Sequence, residues 1–283
     1  MACRANGLPS SVPPVPRRSP SMHIITNTAD PATTPVASAV ECFDVSFGFT
    51  SARDVLHDIS VTVPVGCTFA VLGPNGAGKS TLLELIAGLR TPRRGTLRVG
   101  DVRVTGSPSS RPDGVMLMSA RAIPPVGFTV ASLLRYVAAW HANWDAETAS
   151  ALLQRFGLAE QQRIDTLSFG GQMKVQLITA LASQPRVLLL DEPFIGLDVR
   201  TKEALIDGML SVDTTQPRTT LIASHDLAEL ELLVDHVVVL NEGRVHLTGH
   251  LEDLRAQSGA AATLRDLARP PMPHSPSPLE LAV

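Results

Sequence analysis

Apolar and polar positions along the chain fall into two kinds of short run, separated by amphipathic stretches. "ECFDVSFGF", "ISVTV" and "TLRVGDVRV" alternate with period two, the pattern of strands with one face covered, and predict an antiparallel edge layer. "CTFAVLG", "RVLLLDE" and "TTLIASH" are near-continuous apolar runs that end in polar residues. They predict strands of a parallel sheet buried on both faces, whose carboxyl ends carry the chemistry. From about 120 to 183 the pattern turns helical. The predicted class is α/β: a mostly parallel sheet, an antiparallel β edge layer and an α-helical subdomain. Tyr136, Trp140 and Trp144 are four apart and share one stripe if that stretch is a helix, either packed within the subdomain or offered to a partner. Phe43, Val45, Phe47 and Phe49 alternate like one core-facing strand edge.

The flanks lack such patterning. Residues 1–38 ("SSVPPVPRRSPS", "TADPATTPVAS") are rich in Pro, Ser, Thr and Ala, offer little to bury, and are expected to form a disordered tail. Residues 257–283, ending "ARPPMPHSPSPLELAV", are expected to form a second, leaving a domain at 39–256. The first tail has no secretory apolar stretch, and its prolines interrupt the helix of a transit peptide. A start at Met22 would omit most of it.

Composition narrows the picture. With 44% apolar and 4% aromatic residues, the core is built mainly from Leu, Val, Ile and Ala. A net charge of −3 argues against a nucleic-acid partner. Cys3, Cys42 and Cys67 are odd in number and lack C-x-x-C spacing, which fits neither a disulfide framework nor a zinc site and suggests a reduced cytosolic setting. No apolar run reaches the roughly 18–20 residues of a membrane span. Lysine occurs only at Lys79, Lys174 and Lys202, so a lysine inside a motif carries weight.

Lys79 is inside one. "GPNGAGKST" holds G-x-x-x-x-G-K-S at Gly73, Gly78, Lys79 and Ser80, after a strand and before a helix. Glycines let successive N–H groups converge on phosphate oxygens, and the helix N-terminus adds its dipole. Gly73, Pro74, Asn75, Gly76, Ala77, Gly78, Lys79, Ser80 and Thr81 are therefore the candidate nucleotide contacts, with Lys79 reaching the β- and γ-phosphates and Ser80 the metal. "RVLLLDEP" ends a buried strand with Asp191 and Glu192, whose side chains leave on opposite sides. Asp191 is the candidate metal carboxylate and Glu192 the candidate general base. "IASHD" ends another strand with His225, placed to bond the γ-phosphate and hold Glu192 and the water.

In chain order the motifs are the phosphate loop, "LSFGG", "LLLDEP", "GLD" and "SHD". At these residues the sequence resembles the nucleotide-binding subunit of ATP-binding cassette (ABC) transporters, over about residues 39–256. The resemblance implies a P-loop NTPase core in the ABC ATPase fold, with ATP and Mg2+ (magnesium) as cofactors. It also implies two domains packed head to tail, each nucleotide lying between one phosphate loop and the other domain's signature turn. Since each motif occurs once, the second domain is a copy of this chain or a paired subunit. Ser168 and Gly170 would then reach the partner's γ-phosphate, Asp198 would sit at the seam and Phe49 would stack on adenine. A separate transmembrane permease and a peripheral place on the cytoplasmic face of the cell membrane follow from the same resemblance. "WHANWDAETASALLQRFGL", with its Trp144–Asp145 pair, is most similar to ATPase subunits of bacterial two-component (ABC-2-type) exporters, so export is expected.

Two departures stand out. The signature L-S-G-G-Q reads Leu167-Ser168-Phe169-Gly170-Gly171 here, losing a glutamine near the nucleotide, with Gln172 next door. Glycine in a first helical turn also costs up to about 1 kcal/mol. After "GVMLM", Ser119-Ala120-Arg121 stand where the family has a magnesium-touching glutamine, and Ser119 offers a shorter reach to the metal's water shell. Because Lys79, Ser80, Asp191, Glu192 and His225 are all present, the sequence reads as an active ATPase. The alternatives are a degenerate partner that holds ATP and gates assembly, and a soluble ABC-type ATPase outside transport.

Overall fold

Two sheets with a helix between them form the framework. The computed structural model describes residues 37–107, 110–122, 126–212, 217–225, 230–231, 233–258 and 263–267. The expected N-terminal tail, save Ala37 and Ser38, lies outside them. β1 (Ser38–Phe47), β2 (Leu56–Pro64), β4 (Arg94–Val99) and β5 (Val102–Arg103) make an antiparallel sheet in the order β2-β1-β4-β5. β3 (Thr68–Leu72), β6 (Val115–Ser119), β7 (Val187–Asp191), β8 (Thr219–Ala223), β9 (His236–Asn241) and β10 (Arg244–His250) make the main sheet, ordered β10-β9-β3-β8-β7-β6. β6, β7, β8, β3 and β9 run parallel, and β10 returns antiparallel at one edge.

Period-two geometry explains why the central runs are apolar throughout. Val187, Leu189, Leu221 and Ala223 face a core shared with α1 (Lys79–Ile86) and the antiparallel sheet. Leu188, Leu190 and Ile222 face a second core shared with the helices. With both faces covered, the strands are apolar along most of their length, the buried Thr219 and Thr220 at the start of β8 excepted.

The helical segment holds α2 (Val130–Ala138), α3 (Ala146–Phe156), a 3-10 turn at Ile164–Thr166 and α4 (Phe169–Ala182). Thr129 and Ser132 close a reciprocal capping box on α2, and Asp145 caps α3. The aromatic stripe does not lie on one helix, because α2 ends at Ala138. Tyr136 and Trp140 are exposed in an edge-to-face ladder with Phe128, whereas Trp144 packs on the core. β1 departs from simple alternation as well. Asp44 adopts φ 49° and the register slips on both sides of it, so Phe43 turns outward while Val45 and Phe47 stay buried.

α5 (Val199–Leu210), α6 (Leu251–Ser258) and α7 (Leu264–Leu267) complete the chain. Two pieces of the expected C-terminal tail are thus ordered: α6 reaches Ser258, and Leu264 is fully buried with its N–H donated to Glu231 at 2.8 Å. Cys42 and Cys67 are buried free thiols, pushed up by burial to about 12 and about 11, so neither is a thiolate near neutral pH. Among the described residues, no helix is long and apolar enough to cross a membrane.

Candidate functional site

One row across the sheet gathers the motifs. Val71 of β3 pairs with Ala223 of β8, Ala223 with Asp191 of β7, and Asp191 with Ser119 of β6. The residues just beyond that row are the phosphate loop, His225, Glu192 and Ala120, so four segments distant in sequence meet at one edge. Asp191 continues the Val187–Leu189 face toward α1. There Ser80 Oγ donates to Asp191 Oδ1 at 2.8 Å, and Ser119 Oγ donates to Oδ2 at 3.3 Å. Glu192 has turned the strand corner, with φ 52° and its N–H on the Ala223 carbonyl at 2.8 Å. Its Oε1 lies 3.6 Å from Lys79 Nζ and its Oε2 2.8 Å from His225 Nδ1. Asp191 and Glu192 thus have different surroundings, two hydroxyls around one and Lys79 and His225 around the other.

The loop from Gly73 to Gly78 depends on missing side chains. At Gly73 (φ 147°) a Cβ would overlap the Leu240 carbonyl oxygen, and at Gly78 (φ 101°) it would overlap Leu56 Cδ2. Gly78 is the N-cap of α1 and supplies no side-chain bond to the first N–H groups of the helix. Lys79 is buried, and Nζ donates to the Gly73 and Pro74 carbonyls at 2.9 and 3.3 Å. Pro74, Asn75 and Gly76 are exposed, Ala77 and Thr81 are buried, and Ser80 is half-buried. A helix N-terminus without a side-chain cap and one buried ammonium make the loop a candidate cradle for an anion.

Burial pushes the Asp191 carboxyl above the usual carboxylate range, against the opposing pull of the Ser80 bond and the Arg121 charge. A buried carboxylate beside a hydroxyl is an oxygen-only donor set that suits a hard divalent cation, which would also restore the charged form. The residues therefore fit magnesium.

The other expected contacts have partners of their own. Ser168 caps α4 by accepting from Gly171 N–H at 3.2 Å, and Gly170 lies against Thr201 and Leu197. Asp198 caps α5, accepting from Thr201 N–H at 3.0 Å and its hydroxyl at 2.8 Å. Gln172 does not replace the missing signature glutamine. Its Nε2 donates to the Ile164 and Leu167 carbonyls at 3.4 and 3.2 Å, which turns the amide back onto its own domain. Ser119 is spent on Asp191 rather than standing free, a bond that the sequence hides because it depends on cross-strand register. Phe49 is exposed beyond β1, with Arg90 across its ring.

Residues 56–195 match the profile of the family described as ABC transporter. The aliphatic sulfonates import ATP-binding protein SsuB 2 of Pseudomonas aeruginosa (strain UCBPP-PA14) is 34% identical over 80% of this chain and 84% of its own length. The chain belongs to the ABC transporter family. It is an ATP-binding subunit of that family and an ATPase. The taurine import ATP-binding protein TauB of Yersinia pestis bv. Antiqua (strain Antiqua) is also 34% identical, over 68% of this chain and 75% of its own. A solved structure described as the ATP binding subunit of an ABC transporter superposes with a TM-score of 0.72 at 31% identity, covering 81% of this chain and 98% of the other. The fold is the expected ABC ATPase fold. The expected exporter type is not supported, since both named relatives are import proteins. The stretch that suggested it has local duties instead: Trp144 packs on the helical core and Asp145 caps α3, and neither carries a direction of transport.

Proposed function

We propose that this ABC subunit is the motor of a membrane transporter. It binds ATP and magnesium on the β3–α1 loop and pairs with a second nucleotide-binding domain, in the simplest form a copy of itself. From the cytoplasmic face of the membrane it drives a separate permease. The observation that carries the reading is the continuous contact Lys79–Glu192–His225, with Ser80–Asp191 beside it. In the proposed reaction, backbone N–H groups of residues 75–81 and the Lys79 ammonium hold the triphosphate of ATP. Glu192 takes the proton of the attacking water, and His225 keeps the Glu192 carboxylate in place through Nδ1. Ser80 and Asp191 are the residues that would hold magnesium, which when bound neutralises charge on the phosphate oxygens. Ser168 and Gly170, on a turn of their own, are proposed to face the nucleotide of the partner domain. Phe49 is proposed to stack on adenine. Closure by ATP and reopening after hydrolysis then follow from the different affinities of the open and closed pair for ATP and ADP.

Direction and cargo are assigned to the permease. The inward-turned Gln172 and the Ser119–Asp191 bond favour one second reading, a partner domain that binds ATP while an intact companion hydrolyses it. Turnover and binding of Glu192→Gln decide between them. The motor reading expects turnover to fall by about 10²–10⁴-fold, the usual contribution of a general base, with ATP binding kept. A purified parent chain that binds ATP without turnover alongside its permease would support the second reading, and unchanged turnover in the variant would remove Glu192 from the base role.

A further inference from the structure

Phe49 is 57% exposed, yet its ring has a contact on its face and another at its edge. The Arg90 guanidinium carbon lies 4.8 Å from the ring centroid, and Phe47 meets the ring edge-to-face at 5.2 Å. Arg90 is held in turn by Glu84, with Nε donating to Oε2 at 2.7 Å. Glu84 lies on α1 five residues after Lys79, so about 7.5 Å of helix rise separates the anion cradle from this brace. One rigid helix thus carries both.

The backbone beside Phe49 has its own anchors. Arg93 donates to Asp54 Oδ1 at 2.8 Å and to the Thr50 carbonyl, and its N–H donates to the Ser46 carbonyl at 2.8 Å. Loop position is therefore set without Arg90, and what Arg90 adds is the orientation of the ring. An exposed phenylalanine without such a contact samples several rotamers, and a ligand stacking on it must first order it. A guanidinium over the π-face removes that freedom in advance.

We propose that Arg90, anchored by Glu84, is a positioning residue that holds the Phe49 ring as a platform for the nucleobase of ATP. The proposal rests on the reading of Phe49 as the base-stacking residue. Arg90 touches neither the phosphates nor the reacting atoms, so its effect belongs to nucleotide affinity and not to the chemical step.

The test is equilibrium binding, by calorimetry, of ATP and of inorganic tripolyphosphate to the full chain carrying Glu192→Gln, which suppresses turnover. Arg90→Ala is expected to weaken ATP binding by about two- to five-fold, the size of one exposed cation–π contact, and to leave tripolyphosphate binding unchanged. Phe49→Ala is expected to weaken ATP binding at least as much, and the double variant to match Phe49→Ala alone. Glu84→Ala, which removes the acceptor and leaves Arg90 unanchored, is expected to move ATP affinity in the same direction and keeps the test open should Arg90→Ala fold poorly. Unchanged or tighter ATP binding by Arg90→Ala, with Phe49→Ala still weakened, overturns the role of Arg90 and leaves the Phe49 reading standing. Unchanged ATP binding by Phe49→Ala overturns both. Equal losses for ATP and tripolyphosphate mark Arg90 as merely structural and also overturn the proposal.

Discussion

Asp191 and Glu192 are chain neighbours with opposite surroundings. Asp191 ends a buried strand, with hydroxyls on both carboxylate oxygens, while Glu192 sits past a corner at φ 52°, between an ammonium and an imidazole. A non-glycine residue held in the left-handed region is costly and is kept where its surroundings fix it. The same economy of backbone governs Gly73. Gly73→Ala places a methyl against the Leu240 carbonyl at φ 147°, and the strain alone is expected to cost about 1–3 kcal/mol in urea unfolding, with ATP binding weakened as well. A variant as stable as the parent would contradict the packing described here. At this scale the sequence was legible wherever a residue type is dictated by chemistry: the glycines of the loop, Lys79, Ser80, the Asp–Glu pair and the histidine after a strand. It was silent wherever a bond depends on register. Nothing local says that Ser119 stands opposite Asp191, or that Gln172 folds back on Ile164 and Leu167.

Among the elements, the near-continuous apolar strands were readable because both faces are covered, and the alternating ones because one face is. Where a bulge changes the phase, as at Asp44, the alternation of Phe43 with Val45 misleads. Helix ends decide more than helix periods in the α-helical segment, since the aromatic stripe presumed a helix that stops at Ala138. Asp145 shows what such an end is worth. Its carboxylate accepts from Thr148 N–H at 2.9 Å and from the Thr148 hydroxyl at 2.7 Å, and these bonds hold it below the usual carboxylate range against the effect of partial burial. Asp145→Ala is expected to lower stability by about 0.5–2 kcal/mol at neutral pH. Because the folded pKa is depressed, that contribution is complete above the unfolded value of about 3.9 and is lost as pH falls through the folded one. The gap between parent and Asp145→Ala in denaturant unfolding should therefore narrow under acid conditions, whereas Asp145→Asn, which keeps a capping oxygen, should show little pH dependence from this site. A gap that is constant with pH would contradict the charged cap.

At the scale of the whole molecule, the proposed pairing makes the candidate site half of a larger one. The loop, both carboxylates and His225 meet at one sheet edge, while Ser168 and Gly170 form a separate turn against Leu197 and Thr201. One chain therefore offers the Gly73–Gly78 loop and, on another segment, the start of α4, and the proposed head-to-tail pair would bring the two to opposite sides of a nucleotide. The proposed pair rests on the family resemblance and on the single occurrence of each motif, since composition and periodicity say nothing about a partner. Its most direct test is the mass in solution of Glu192→Gln with saturating ATP and magnesium, followed by light scattering beside the parent chain. The account expects the variant to hold twice the mass of a single chain for as long as ATP is present, and the parent to return to single-chain mass as ATP is consumed. A variant that is saturated with ATP and still has the mass of one chain would contradict it.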